Sequence, residues 1–128
     1  MIRFLSESAV IWMHDYLIRS YGGTAGIHSI ALLDSALHQP LMERYYLKAS
    51  LLEMAAAYAF HICKNHAFID GNKRTARMAM IMFLRYNNVK ITATEYEIME
   101  KILDMEANKI SKKQLADWLK TVTIAEQR

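Results

Sequence analysis

Residues 66–77, HAFIDGNKRTAR, bring together a histidine, a carboxylate, a Gly-Asn pair and three cations between two long apolar runs. His66 is a candidate general base, because histidine titrates near neutral pH and can take a proton from an attacking hydroxyl. Asp70 is a candidate Mg²⁺ ligand, since proteins hold Mg²⁺ with few carboxylates and leave room for phosphate oxygens. These residue types in one stretch predict a site that handles phosphate.

A helix is predicted to begin near Asn72, and its first turns carry the cations Lys73, Arg74 and Arg77. Cations are unfavourable at this end of a helix, where the dipole is already positive. The unpaired N–H groups of a helix start form an anion site, and Gly71 lets the backbone approach a ligand closely. Asn72 is expected to cap the helix or to bond a phosphate oxygen. A bound polyanion such as a polyphosphate would account for this charge, so these five positions are predicted to bind phosphate.

Phe68 is also counted with this predicted phosphate-binding loop. It lies between His66 and Asp70, and the alternation of the three residues predicts that its side chain points into the core and anchors the loop. The simpler interpretation is a polar turn whose charges serve solubility alone, and any one of these residues by itself favours that interpretation. Their combination in one loop favours a site.

The composition is typical of a globular protein and favours one domain over residues 1–128, since 53% of the residues are hydrophobic and 23% are charged. The single cysteine, Cys63, excludes an internal disulfide framework. Together with the lack of an evident secretory leader or membrane-length apolar run, it predicts a cytoplasmic protein. The net charge of +3 is spread along the chain, so we expect neither membrane association nor direct nucleic-acid binding.

Helical periodicity accounts for most of the chain. A first helix is predicted from about Ser6 to Tyr21, where Gly22 and Gly23 end it, and a second, short helix is predicted to stop before Pro40. A third is predicted over residues 43–64, and a fourth follows the loop at residues 65–72. The third and fourth are apolar on nearly every side, which predicts two buried central helices joined by a charged loop.

The remainder of the chain is predicted to contain two amphipathic helices and one short strand. Residues 89–94, VKITAT, alternate in polarity and are predicted to pair as a strand with residues 2–5. The fold class is therefore all-α, with about six helices and little or no sheet. The last two helices are predicted to begin at capping-box pairs, Thr94 with Glu97 and Ser111 with Gln114.

The stretch at residues 66–77 resembles the signature of the Fic/Doc family, His-x-Phe-x-(Asp/Glu)-Gly-Asn-x-Arg-x-x-Arg. The residues MHDYLIRSYGG at 13–23 and the chain length resemble the death-on-curing (Doc) branch of that family. The resemblance implies a helical bundle with the motif loop between two central helices. The matching positions are His66, Phe68, Asp70, Gly71, Asn72, Arg74 and Arg77.

The resemblance also implies roles for these residues. His66 would be the catalytic base toward a target hydroxyl, Asp70 would bind Mg²⁺, and the residues from Asn72 to Arg74, with Arg77, would hold the phosphates of ATP. Lys73, where AMP-transferring members usually have glycine, favours the Doc-type kinase reaction. In that reaction the γ-phosphate goes to a hydroxyl of elongation factor Tu, which arrests growth. Arg77 matches the second arginine of AMP-transferring members, so AMP transfer is the alternative.

Two further expectations concern partners. The chain lacks the inhibitory motif (Ser/Thr)-x-x-x-Glu-(Gly/Asn) of some family members, so the resemblance implies inhibition in trans by a small Phd-like antitoxin. Residues 22–44 are expected to include the flap that aligns the target in this family.

His14 and Asp15 are interpreted as a pair on a helix surface. An alternative from another class is a degenerate module that holds nucleotide or antitoxin without turnover.

Overall fold

A computed structural model describes residues 1–126, which form six helices and a two-stranded sheet. The all-α prediction is confirmed, and two central helices flank residues 66–71, which we call the motif loop. The predicted single domain includes residues 127 and 128, which lie outside the described residues. The elements are α1 (Glu7–Tyr21), α2 (Ile30–Leu47), α3 (Leu51–Asn65), α4 (Asn72–Tyr86), β1 (Val89–Ile91), α5 (Glu95–Glu106), α6 (Lys112–Thr121) and β2 (Thr123–Ala125).

Helix α3 forms the centre of the core because it is rich in alanine. Residues 54–59 of α3 are all fully buried, and α3 packs against α2, α4 and α6. Alanine favours the helix and its small side chain lets neighbouring helices approach closely. The motif loop is therefore held at both of its ends by buried helices. Among residues 1–126, no helix is long and apolar enough to span a membrane.

Helix α1 follows the prediction at both ends. The Ser6 hydroxyl accepts a hydrogen bond from the Ala9 N–H at 3.1 Å, and Gly22 leaves the helix with a φ of 87°. Val10, Met13 and Leu17 are buried against the core. Tyr21 lies at the same helical spacing but is 60% exposed, because it occupies the last position of the helix.

The prediction that a helix stops before Pro40 is wrong, because α2 continues through Pro40 to Leu47. Proline removes the hydrogen bond that would have reached the Ala36 carbonyl and crowds the preceding turn. Pro40 is nevertheless buried with Leu33, Ala36 and Leu37 on the face of α2 that packs against α3. Burial of this apolar face outweighs the loss of one hydrogen bond.

The predicted continuous helix over residues 43–64 is also wrong, because the chain breaks between α2 and α3. Lys48 takes a left-handed conformation with a φ of 54°. Ser50 and Glu53 then form a capping box, in which the Ser50 hydroxyl accepts from the Glu53 N–H and the Glu53 carboxylate accepts from the Ser50 N–H. This spacing was present in the sequence and marks a new helix start.

The predicted strand after α4 is confirmed, but its predicted partner is wrong. Strand β1 pairs antiparallel with β2, so that Lys90 lies opposite Ile124. Residues 2–5 instead attach to a side chain: the Arg3 N–H donates to Asn87 Oδ1 at 2.8 Å, and Asn87 Nδ2 donates to the Arg3 carbonyl at 2.9 Å. The capping boxes predicted for α5 and α6 are confirmed.

Candidate active site

His66 is the C-cap residue of α3, and it lines a cavity of about 570 Å³. Its backbone is left-handed, with a φ of 51°, which is uncommon for a residue other than glycine. This conformation turns the chain out of the helix, and the side chain is exposed. The cavity walls come from α1, the motif loop, the first turn of α4 and α5. The lining residues are Leu17, Ile18, Gly22, His66, Ile69, Asp70, Gly71, Asn72, Lys73, Arg74, Met99 and Leu103.

The Asp70 carboxylate is oriented by two backbone donors. The Thr24 N–H donates to Oδ2 at 3.0 Å, and the Gly71 N–H donates to Oδ1 at 2.8 Å. These two bonds, first that from Thr24, hold the pKa of Asp70 below its usual value. A Cβ atom at Gly23 would lie 2.7 Å from Asp70 Oδ2, so only glycine admits this close approach. The carboxylate is therefore ionised and fixed, and it keeps lone pairs for a cation.

The start of α4 differs from the prediction in one respect, because Gly71 and not Asn72 is the N-cap. The Asn72 side chain instead forms two hydrogen bonds with the backbone of the motif loop. Its Oδ1 accepts from the Phe68 N–H at 3.1 Å, and its Nδ2 donates to the Phe68 carbonyl at 2.9 Å. The backbone N–H groups of Asn72, Lys73 and Arg74 have no acceptor among residues 1–126. Unpaired N–H groups at a helix start are the donors that an anion can use.

Two of the three predicted phosphate-binding cations line the cavity. Lys73 Nζ lies 3.8 Å from Glu106 Oε1, and the Arg74 guanidinium lies 4.7 Å from the centre of the Tyr21 ring. Both side chains are exposed. Arg77 is half-buried and, within the described part of the chain, is not among the residues that line the cavity.

Phe68 packs into the core and anchors the loop, and its assignment to nucleotide binding stays a prediction. Its side chain is 2% exposed and does not line the cavity. The Phe68 ring stacks on the ring of His14, with centroids 3.9 Å apart and an interplanar angle of 8°. Phe68 therefore contributes to the site by fixing the loop in the core.

His14 belongs to the site region and was missed. Its interpretation as half of a surface pair is wrong, because its side chain is 1% exposed and its Nε2 lies 2.7 Å from the Asp70 carbonyl oxygen. Helical spacing contained the signal, since His14 follows Val10 by four residues and precedes Leu17 by three. Val10 and Leu17 are buried, so His14 shares their face.

The segment between α1 and α2 runs antiparallel along the motif loop. The Ala67 carbonyl accepts from the N–H groups of His28 and Ser29, and the Gly26 carbonyl accepts from the Ile69 N–H. Residues 22–29 therefore brace the loop along one edge. They lie within the region expected to contain the target-aligning flap, a role that stays a prediction.

The donor set fits Mg²⁺ held partly by a substrate. Among the described residues, no group of three His, Cys, Asp or Glu side chains is close enough to hold a metal by itself. Asp70 supplies one oriented carboxylate beside an anion site, and Mg²⁺ commonly completes such a shell with phosphate oxygens and water. Asp70 is the residue that would hold the ion.

Comparison with known proteins shows which family this chain resembles along its length. Residues 4–84 match the model of the family described as Fic/DOC. The chain is 28% identical over 120 residues to "Protein kinase doc" of Escherichia phage P1, an alignment that covers 93% of this chain and 94% of the relative. It is 38% identical over 76 residues to "Toxin Doc" of Mycolicibacterium smegmatis, which covers 58% of each chain.

Proposed function

The chain belongs to the Fic/DOC family, and on this premise we propose that it is a Doc-type toxin that transfers the γ-phosphate of ATP to a serine or threonine hydroxyl. The proposed target is a translation protein such as elongation factor Tu, whose modification arrests growth. One observation carries the proposal: His66, Asp70 and the cationic start of α4 line the same cavity. The relative "Protein kinase doc", which aligns over nearly the whole chain, supports this reaction class.

ATP would bind with its phosphates at the start of α4. The free N–H groups there, with the side chains of Lys73 and Arg74, supply donors and charge for a triphosphate. Gly71 begins this helix start with a φ of 78°, a conformation that glycine adopts without strain. Mg²⁺, held by Asp70, would neutralise charge on the phosphates during transfer.

His66 would act as the general base. As the target hydroxyl oxygen forms a bond to the γ-phosphorus, its proton passes to the imidazole of His66. The bond from the γ-phosphorus to the bridging oxygen breaks, and ADP leaves with that electron pair. The helix start and the cations stabilise the charge that builds on the phosphates. His66 then releases its proton to solvent.

AMP transfer is the alternative, and it differs in which phosphorus faces the target hydroxyl. Lys73 lines the cavity, whereas Arg77, the residue that resembles AMP-transferring members, does not do so within the described chain. This difference supports γ-phosphate transfer. The intact His66 argues against a module that binds nucleotide without turnover.

Inhibition would come from a Phd-like antitoxin in trans, in the cytoplasm. The relative named "Toxin Doc" and the lack of an inhibitory motif in the sequence support such a partner.

The test uses ATP labelled at either the α or the γ phosphate, with elongation factor Tu as the first target and whole lysate as the second. We expect γ-label on the target and ADP as the product. Transfer of α-label would show AMP transfer instead, and no transfer of either label would favour the binding module. His66→Ala should abolish labelling, whereas His38→Ala, which changes an exposed histidine of α2, should leave it unchanged.

A further inference from the structure

His14 is a fully buried polar side chain that contacts the motif loop in two ways. Its ring stacks on Phe68, and its Nε2 lies 2.7 Å from the Asp70 carbonyl oxygen. A carbonyl oxygen can only accept, so Nε2 must carry the hydrogen of this bond. The contact comes from α1, an element far from the loop in sequence.

The Asp70 carbonyl and the Gly71 N–H belong to the same peptide group. A peptide group is planar, so fixing its oxygen also fixes the direction of its N–H. That N–H donates to Asp70 Oδ1 at 2.8 Å. The glycine at position 71 places little steric limit on rotation of this peptide. The His14 hydrogen bond therefore restrains a group that glycine would otherwise leave free.

We infer that His14 is a positioning residue for the metal: through the peptide between Asp70 and Gly71 it sets the direction of the Asp70 carboxylate. This inference rests on the proposed function, in which Asp70 holds Mg²⁺. The His14 hydrogen bond should act on the metal ligand and not on the phosphate donors, because the backbone N–H groups proposed to bind phosphate lie one residue or more beyond Gly71. Loss of the His14 hydrogen bond should weaken Mg²⁺ binding more than it weakens nucleotide binding without metal.

Two substitutions separate the parts of the His14 contact, and a third serves as the control. His14→Phe keeps a flat ring against Phe68 and removes the donor. His14→Gln keeps an N–H donor and removes the ring. Asp15→Asn is the matched control, since Asp15 is the exposed neighbour whose Oδ1 lies 3.8 Å from His14 Nδ1.

The first measurement is calorimetric titration of Mg²⁺ into each protein saturated with a non-hydrolysable ATP analogue. Outer partners of metal ligands typically contribute roughly 10- to 100-fold to metal affinity. We expect His14→Phe to weaken Mg²⁺ binding by at least about 10-fold. The Mg²⁺ affinities of His14→Gln and Asp15→Asn should stay close to that of the unmodified protein. Binding of the analogue without Mg²⁺ should change little. An unchanged Mg²⁺ affinity in His14→Phe would overturn the inference, as would equal losses in the Phe and Gln variants.

The second measurement does not depend on the proposed function. The amide resonances of Thr24 and Gly71 report the two hydrogen bonds to the Asp70 carboxylate in the protein without nucleotide. Both should shift in His14→Phe, which retains an aromatic ring, and neither should shift in Asp15→Asn. If the unmodified protein shows no Mg²⁺-dependent nucleotide binding, the proposed function fails, and unchanged resonances in His14→Phe would overturn the positioning role separately.

Discussion

Two clusters in this molecule each combine a histidine and a carboxylate with at least one cation. The motif region combines His66, Asp70, Lys73 and Arg74 around the cavity. A second cluster joins α2, α3 and α6 on another part of the molecule and consists of Glu43, His61 and Lys112. In it, Lys112 Nζ lies 2.8 Å from Glu43 Oε2 and 3.3 Å from His61 Nε2, and His61 Nε2 lies 3.6 Å from the same carboxylate oxygen.

The clusters differ in where their polar groups point. In the second cluster the cation and the carboxylate bond each other, and Lys112 also lies 5.5 Å from the centre of the Phe60 ring. In the motif region the carboxylate is held by backbone donors, and both cations line a cavity together with unpaired N–H groups. The second cluster is therefore satisfied within itself. The motif region presents charge and donors to a cavity, although Lys73 Nζ also lies 3.8 Å from Glu106 Oε1.

The largest effect should separate the two histidines. His66→Ala removes the general base and should lower the rate of label transfer by roughly 100- to 10,000-fold. Since the His66 side chain is exposed, the melting temperature should stay nearly constant. His61→Ala should give the opposite pattern, with transfer retained and stability reduced. Initial transfer rates and melting curves measure both, and equal activity losses would erase the distinction between the clusters.

The next largest effect should separate one cation of each cluster, Arg74 in the motif region and Lys112 in the second cluster. Arg74→Met removes charged hydrogen bonds to phosphate and should weaken ATP binding by about 2 kcal/mol, or roughly 30-fold in Kd. The free energy of unfolding should change by less than about 1 kcal/mol, because loss of the contact with Tyr21 is offset by removing a cation from the first helical turn. Calorimetric titration with ATP and urea unfolding test this. An ATP affinity within about twofold of the unmodified protein would exclude Arg74 from phosphate binding.

Lys112→Met is the counterpart in the second cluster. It leaves the half-buried Glu43 carboxylate without its 2.8 Å partner and should lower the free energy of unfolding by about 1–2 kcal/mol, less than for a fully buried pair. Transfer of the γ-label should not change. Urea unfolding provides the measurement, and a loss of transfer with stability intact would mean that this cluster also serves the reaction.

Part of the pH dependence of stability between neutral and mildly acidic pH should come from His61. Burial, and then the nearby Lys112 ammonium, lowers the pKa of His61 below its ordinary value of 6.5. The folded protein keeps this histidine neutral where the unfolded chain is already protonated, so stability falls as the pH drops below 6.5.

The variant His61→Gln should lose part of this dependence in melting curves recorded from neutral to mildly acidic pH. Asp70 should contribute only at lower pH, because its folded pKa lies below its ordinary value of 3.8, and its contribution is lost as the pH falls through the folded pKa. An unaltered pH profile in His61→Gln would assign the titration to another group.

The smallest effect should be that of Arg77→Ala. Arg77 does not line the cavity within the described residues, so γ-label transfer should change by no more than about twofold. Lys73→Ala, on the cavity side of the same helix, is the comparison and should reduce transfer more strongly. A large loss of transfer in Arg77→Ala would bring Arg77 back into the site and strengthen the case for AMP transfer.

Local signals in the sequence predicted much of the fold correctly. Ser6, Thr94 and Ser111 each cap a helix as expected, because a cap depends on residues only three positions away. The same signal at Ser50 lies within a long apolar run, and that run predicts a continuous helix instead. Pro40 is a different case, since its local preference to end the helix was overridden by packing of α2 on α3.

The site was predicted in part. The motif residues from His66 to Arg74 border one cavity, apart from the buried residues Ala67 and Phe68. The position of Arg77 outside the cavity wall and the contact of His14 with Asp70 did not follow from the motif. Both depend on how α1, α4 and α5 pack around the loop.

By itself, the sequence determined the residue types of the loop, the helical class and most helix starts, because these depend on neighbours within about one helical turn. Only the tertiary structure decided that β1 pairs with β2, that α2 passes through Pro40 and that His14 holds the Asp70 carbonyl. Each of these requires two surfaces distant in the chain to meet. Their complementarity is set by the packing of the whole core and cannot be read from either segment alone.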